Sequence, residues 1–218
     1  MKKILCLTLA LLMLCFTLSA CKKEVVPPKY EEIDRSPIET LDGVSVSSNP
    51  TDYVLIEVAE YGTILVRLYP DVAPETVENF KKLVSEGFYD GLIFHRVIED
   101  FMIQGGDPEG NGTGGSETTI KGEFSKNGFE NNLKHTRGVV SMARSGQPDS
   151  ASSQFFICHK TAGVSHLDGN YASFGFVVYG MDVVDEIAEV KVNSADKPLK
   201  DIVITSIKFA SVPEAKKK

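Results

Sequence analysis

The chain has 218 residues, of which 42% are hydrophobic and 24% charged, so it can bury a core of its own. This length fits one domain with appendages and leaves little room for a second domain. The formal net charge of −7 argues against nucleic acid as a partner, because phosphate binding depends on clustered positive charge.

The first 20 residues have the pattern of an export signal. Lys2 and Lys3 precede an almost wholly apolar run over residues 4–18, and small residues follow it. A membrane-spanning helix is the alternative, but it needs about 20 apolar residues to cross the bilayer, and this run is shorter. We therefore predict a signal peptide over residues 1–20. Removing its two lysines takes the formal charge from −7 to −9.

The signal ends in Leu-Ser-Ala-Cys, which resembles the lipobox of bacterial lipoproteins. The resemblance implies that Cys21 is lipidated, becomes the first mature residue and anchors the chain to a membrane of the cell envelope, on the extracytoplasmic side. Cys6 and Cys15 lie inside the removed signal, so Cys158 would be the single cysteine of the folded part and no intrachain disulfide could form.

Residues 21–50 have the composition of a solvated spacer. They contain Pro27, Pro28, the segment Ser-Ser-Asn-Pro at residues 47–50 and several charges, without a sustained apolar period. We predict that the lipidated Cys21 and a flexible linker occupy residues 21–50, that a folded domain occupies 51–211, and that 212–218 form a charged tail.

Within the domain, β-rich runs and two helical patterns alternate with turns. Residues 53–58 and 63–69 predict a hairpin, and Pro74 opens a helix whose apolar residues recur on one face up to Gly87. Residues 181–190 predict a second helix. Further strands are predicted at residues 93–98, 102–104, 138–143, 154–158, 174–178 and 201–209. Many short strands with two helices favour a small closed barrel.

The long connection over residues 105–132 is rich in Gly and Asn, which suggests a binding surface. Residues 110–115 formally contain G-x-G-x-x-G, but no helix pattern follows, as a dinucleotide site requires. Zinc-protease, redox, hydrolase and phosphate-loop motifs are absent from the sequence, and the four histidines are scattered. We therefore predict no metal and no cofactor.

One short segment carries several side chains that could form a binding or catalytic site. Residues 94–107, FHRVIEDFMIQGGD, place a guanidinium, two large apolar side chains and an amide close together. This segment resembles the central signature of cyclophilins. Further matches follow in the family's order at residues 73–80 (APETVENF), 111–115 (NGTGG), 141–143 (SMA), 153–157 (SQFFI) and 167–169 (LDG), so the resemblance covers residues 53–209.

The resemblance implies a mainly β fold, a closed eight-stranded antiparallel barrel capped by two α-helices, with an outer proline-binding groove and no cofactor. It implies peptidyl-prolyl cis-trans isomerase activity. Together with the export signal, this predicts that the substrates are proline-containing exported polypeptides, and we expect the protein to be a monomer. The matched catalytic residues are Arg96, Gln104 and Phe101. The matched substrate-binding residues are Met102, Gly112, Ala143, Gln154, Phe156, His166, Leu167 and Tyr171.

Isomerisation breaks no covalent bond, since its barrier of about 18–20 kcal/mol comes from amide resonance. A fixed donor to the proline nitrogen lowers that barrier only as the bond twists, and an always protonated arginine suits the role. Two other functions stay open: a membrane-tethered proline-binding or chaperone module with incidental catalysis, and a lipoprotein that only supports the envelope.

Four positions depart from the family's common pattern. His166 stands where eukaryotic members often have tryptophan, and Tyr171 stands where a groove histidine is usual. Arg144 and Ser145 replace a commoner Asn-Ala pair. Because the tryptophan position helps to hold cyclosporin in the family, His166 predicts weaker inhibition by that cyclic peptide.

Overall fold

The computed structural model describes residues 26–216, so the predicted signal peptide and Cys21 lie outside the described residues. Two α-helices are present, α1 (Pro74–Ser85) and α2 (Met181–Ala188). The strands are β1 (Ser45–Val46), β2 (Tyr53–Val58), β3 (Gly62–Leu68), β4 (Arg96–Ile98), β5 (Met102–Gly105), β6 (Val139–Met142), β7 (Phe155–Cys158), β8 (Ser173–Tyr179) and β9 (Ile204–Ser211).

All strand pairs are antiparallel, and the order across the sheet is β1-β9-β2-β3-β8-β6-β7-β5-β4. The prediction of a mainly β fold with two helices is confirmed. The prediction of a closed eight-stranded barrel is not, because the sheet has nine strands and β1 and β4 are its two ends. The ninth strand comes from the segment predicted as a linker. Near β4 only single bridges reach the β9 side, such as the bond from Phe94 N to Ile202 O at 3.0 Å.

Both helices pack an apolar face against the sheet. Val77, Phe80 and Leu83 of α1 lie in the main core, as do Val184 and Ile187 of α2. These residues recur at helical spacing, which is why the sequence pattern predicted both elements.

The start of α1 is capped from the long connection. The Glu123 carboxylate accepts hydrogen bonds from the backbone N–H of Glu75 at 3.0 Å and of Thr76 at 2.8 Å. Burial raises the pKa of Glu123 despite these bonds. The contact fixes one end of the 105–132 connection against the helix.

Residues 30–46, here called the N-terminal arm, lie against the domain. Ile33 and Ile38 are buried, and Ile38 N donates to Val178 O at 2.7 Å. Asp34 pairs with Arg67 of β3, and β1 extends the sheet next to β9. The flexible spacer predicted for residues 21–50 therefore differs from the structure in this part, because scattered apolar side chains of the arm find pockets on the domain. Between residues 26 and 216 no helix has the length and apolar character to cross a membrane.

Candidate active site

Four neighbouring strands present one row of side chains on the outer face of the sheet. Directly opposed residues of antiparallel strands point to the same face. The paired residues of β4, β5, β7 and β6 are Arg96, Gln104, Phe156 and Ser141. The adjacent row points inward to the main core and consists of Val97, Ile103, Ile157 and Val140. Strand alternation thus places the polar and aromatic groups in a groove outside the core.

A cavity of about 260 Å³ opens on this face. Its apolar walls come from β5, β7 and a 3-10 turn at Ser165–Leu167, and its polar groups include two guanidiniums. The lining residues are His95, Arg96, Phe101, Met102, Gln104, Gly112, Ala143, Arg144, Phe156, Leu167 and Tyr171. Such a site can hold a small apolar ring beside a strong hydrogen-bond donor.

Arg96 is half-exposed at the edge of the cavity and is oriented from a distant loop. Its Nε lies 3.4 Å from Asp196 Oδ2, and the next residue, Val97, donates its N–H to Asp196 O at 2.8 Å. Asp196 adopts a left-handed backbone with φ of 61°. This ion pair through Nε leaves the two terminal nitrogens of the guanidinium for other partners.

Gln104 belongs to a short amide chain. Its Nε2 donates to Gln154 Oε1 at 2.8 Å, and Gln154 Nε2 donates to the carbonyls of Gly112 at 3.1 Å and Gly114 at 2.7 Å. The Gln104 side-chain oxygen therefore remains as an acceptor next to Arg96, its partner residue across the β4–β5 pair.

Phe156 is held between two rings. His135 stacks on it with centroids 6.1 Å apart, and Tyr171 meets it edge-on at 5.9 Å. His135 is itself fixed, because Nδ1 lies 2.9 Å from Asp168 Oδ1 and Nε2 lies 2.9 Å from Ser141 Oγ. This Ser-His-Asp chain has the residue types of a hydrolase triad but cannot act as one, since Ser141 has no exposed surface and cannot reach a substrate.

The loop that carries Gly112 is organised by the buried carboxylate of Asp107. Its oxygens accept backbone hydrogen bonds from Glu109 at 2.8 Å, Asn111 at 3.1 Å and Gly112 at 2.6 Å. Burial raises the pKa of Asp107, but these bonds outweigh it, and the pKa is lowered overall. A side chain at Gly114 would meet Asp107 Oδ1 at 2.2 Å, so the loop requires glycine there.

Comparison with known proteins places this groove in a family. The model of the family described as cyclophilin type peptidyl-prolyl cis-trans isomerase/CLD matches residues 53–209. The chain belongs to the cyclophilins. It is a peptidyl-prolyl cis-trans isomerase, as are curated relatives from distant organisms. The matched residues include β2 to β8 and most of β9, and they exclude β1.

Among the relatives, a peptidyl-prolyl cis-trans isomerase of Schizosaccharomyces pombe is 46% identical over 66% of this chain and 90% of its own length. One from Acinetobacter baylyi is 39% identical over 81% of this chain and 96% of its own. A crystal structure of a Cryptosporidium parvum cyclophilin, determined in the presence of the dipeptide Ala-Pro, is 32% identical. It has a TM-score of 0.67 over 73% of this chain and 99% of that one. The cyclophilin fold of the chain is therefore shown.

The structure brings most of the predicted site residues of this cyclophilin to one place. Nine of them line the cavity: Arg96, Phe101, Met102, Gln104, Gly112, Ala143, Phe156, Leu167 and Tyr171. Gln154 lies behind Gln104 and lines a neighbouring cavity. His166 is exposed and stacks on Phe101 with centroids 6.0 Å apart, at the rim. Cys21 lies outside the described residues. The individual roles stay predictions.

Several residues of the cyclophilin groove, Arg144 among them, were not predicted from the sequence as site residues. Asp196 touches Arg96 across 100 positions of sequence, in a loop without a motif match. His135 supports Phe156 by stacking on its ring. His95 lines the cavity, and in the part of the chain that is described neither ring nitrogen has a partner. Burial lowers its pKa, so the neutral form is favoured.

Proposed function

We propose that this isomerase rotates X-Pro bonds of exported polypeptides at the cell envelope, with Arg96 as the donor that stabilises the twisted bond. The observation that supports this assignment is a guanidinium at the rim of an apolar cavity with an amide directly opposite it. As the amide bond twists, the proline nitrogen regains a lone pair that can accept a hydrogen bond. A donor fixed at that point stabilises the transition state and not the planar substrate.

The apolar walls hold the proline ring while the preceding residue turns. Met102, Phe156 and Leu167 are buried and belong to one apolar cluster on the groove side of the sheet. Burial of apolar surface contributes about 25 cal/mol per Å², which for one small ring gives modest affinity and permits rapid release. Phe101 and Tyr171 close the sides of the pocket, and His166 extends the rim.

Backbone recognition falls to the amide chain and to Ala143. The Ala143 N–H donates to Gln154 O at 2.9 Å, so its carbonyl is the group through which it would pair with a bound peptide. Gln104 would bond substrate backbone and help to orient Arg96, with Gln154 and Gly112 supporting it from the next loop. The groove therefore uses two side-chain amides: that of Gln104 contacts the substrate, and that of Gln154 holds Gln104 in place.

The location follows from residues 1–21. A basic start, an apolar run and Leu-Ser-Ala-Cys support export, lipidation at Cys21 and anchoring outside the cytoplasm. The clients would then be proline-containing exported chains, whose uncatalysed isomerisation takes tens to hundreds of seconds. We propose that the protein works as a monomer on such chains.

The test is an exchange or protease-coupled assay on a proline peptide with Arg96→Ala. Loss of a transition-state donor costs about 10²–10³-fold in rate, so kcat/KM should fall by about that factor. Arg96→Lys should recover little, because an ammonium lacks the planar donor geometry. Lys208→Ala, at an exposed position of β9, is the matched control and should retain full activity.

An unchanged rate in folded Arg96→Ala would refute the assignment of Arg96. The same variant distinguishes catalysis from the alternative function, which is proline binding or chaperoning without a need for turnover. If client folding in cells is normal while peptide isomerisation is lost, the domain acts chiefly as a tethered proline-binding or chaperone module.

A further inference from the structure

A second cavity of about 200 Å³ adjoins the first. The two share four residues, Gln104, Gly112, Ala143 and Arg144. Neither lining contains a carboxylate, although the chain carries 30 acidic residues against 23 basic ones. Besides the shared residues, small polar side chains line the second cavity: Thr113, Ser145, Ser150, Ser152 and Gln154. Arg144 is its single charged residue.

Arg144 is held in place by neutral groups. Its guanidinium carbon lies 4.7 Å from the centroid of Tyr171 and 5.1 Å from that of Phe124. Nε donates to Asn170 O at 2.9 Å, and Nη1 donates to Ser145 O at 2.8 Å. No carboxylate within residues 26–216 pairs with Arg144, in contrast to Arg96 and Arg137. Its charge is therefore fixed at the junction of the two cavities, and Nη2 is left to serve an outside acceptor.

The position of the second cavity relates it to the chain direction of a bound peptide. This step rests on the proposed function, in which the first cavity holds proline, and on the resemblance to cyclophilins, which implies that Gly112 lies near the subsite for the preceding residue. Because Gly112 also lines the second cavity, that cavity lies on the amino-terminal side of the proline. An extended peptide advances about 3.3 Å per residue with alternating side chains, so the second or third residue before proline reaches the cavity.

We propose that Arg144 makes this isomerase prefer substrates with Asp or Glu two or three residues before the proline. A carboxylate at that position meets a preorganised guanidinium and hydroxyl donors without displacing an internal ion pair. A substrate lysine at that position is repelled by the guanidinium of Arg144. For a half-exposed ion pair the expected effect is about two- to fivefold in kcat/KM.

The test compares peptides that differ only at the second and third residues before an Ala-Pro unit, with Glu, Gln or Lys. Exchange rates are measured by NMR for the full chain in detergent, at low ionic strength and at 1 M NaCl. The wild type should favour Glu over Gln about two- to fivefold and disfavour Lys. The preference should shrink at 1 M salt, where the Debye length is about 3 Å.

Three variants test whether Arg144 is the source of the preference for Glu over Gln. Arg144→Asn should bring the Glu/Gln ratio to about one, whatever its absolute rate, and Arg144→Lys should keep part of the ratio. Lys126→Gln removes one positive charge close by but outside both cavities, where its Nζ lies 2.8 Å from Asn170 Oδ1. This control should keep the wild-type ratio.

A wild-type ratio near one, or a ratio insensitive to salt, overturns the proposal even if Arg144→Asn does not fold. An equal loss in Lys126→Gln also overturns it, since the cause would then be general attraction. These outcomes leave the isomerase assignment intact. If the wild type isomerises none of the peptides, the proposed function fails as well.

Discussion

Arg96 and Gln104 could be placed together from the sequence because they are close along the chain. They lie on adjacent strands joined by a turn of three residues, and alternation along each strand puts both side chains on one face. The support for Phe156 could not be derived this way. His135 lies 33 positions from Asp168, and no spacing rule connects them. At the residue scale, near neighbours were predictable and long-range partners were not.

Cys158 gives a prediction on pH. It is fully buried opposite Met102, and burial raises the pKa of its thiol from about 9 to about 12. A raised pKa in the folded state means that the stabilising contribution is complete below pH 9 and is lost as the pH rises above it. Burial also raises the pKa values of Tyr69 and Tyr89, which act in the same direction.

The free energy of unfolding should therefore fall above about pH 9, by up to about 1.4 kcal/mol per pH unit from the thiol alone. Urea denaturation at a series of pH values measures this. Cys158→Ala should show a shallower decline between pH 9 and 11, while the share due to the tyrosines persists. Identical slopes in the two proteins would mean that the thiol does not contribute.

At the scale of elements, the hairpin β2–β3 and both helices follow from their periodicity. The N-terminal arm does not, because its few apolar residues are scattered among polar ones and their pockets are formed by distant parts of the chain. β1 has only two residues, and its partners in β9 are more than 160 positions away. A strand so short carries no alternation that a sequence pattern could reveal.

The arm should nevertheless contribute to stability. Ile33 packs in the same apolar cluster as Met102, Phe156 and Leu167, which wall the proline cavity. Ile33→Ala should lower the free energy of unfolding by about 2–5 kcal/mol, the usual cost of such a truncation at a buried site. Val26→Ala, at a residue that is 81% exposed, should change it by less than about 0.5 kcal/mol. Equal stability of both variants would show that the arm is not docked in solution.

For the molecule as a whole, the membrane anchor is the feature that depends most on sequence alone. Cys21→Ser should abolish incorporation of labelled palmitate and release the protein from the membrane fraction of the host cell. The isomerase activity of the released protein should equal that of the anchored one, because the residues that line the groove lie between 95 and 171. Palmitate labelling that survives Cys21→Ser would contradict lipidation at Cys21.

The docked arm would also set how far the domain can travel from the lipid proposed at Cys21. A spacer over residues 21–50 would extend to about 100 Å, whereas the eight steps from Cys21 to Lys29 extend to at most about 30 Å. A domain of this size is about 40 Å across. The segment from Cys21 to Lys29 is therefore shorter than the domain is wide. With the proposed lipid at Cys21, the enzyme would stay at the bilayer and would reach only chains within about 70 Å of the lipid surface.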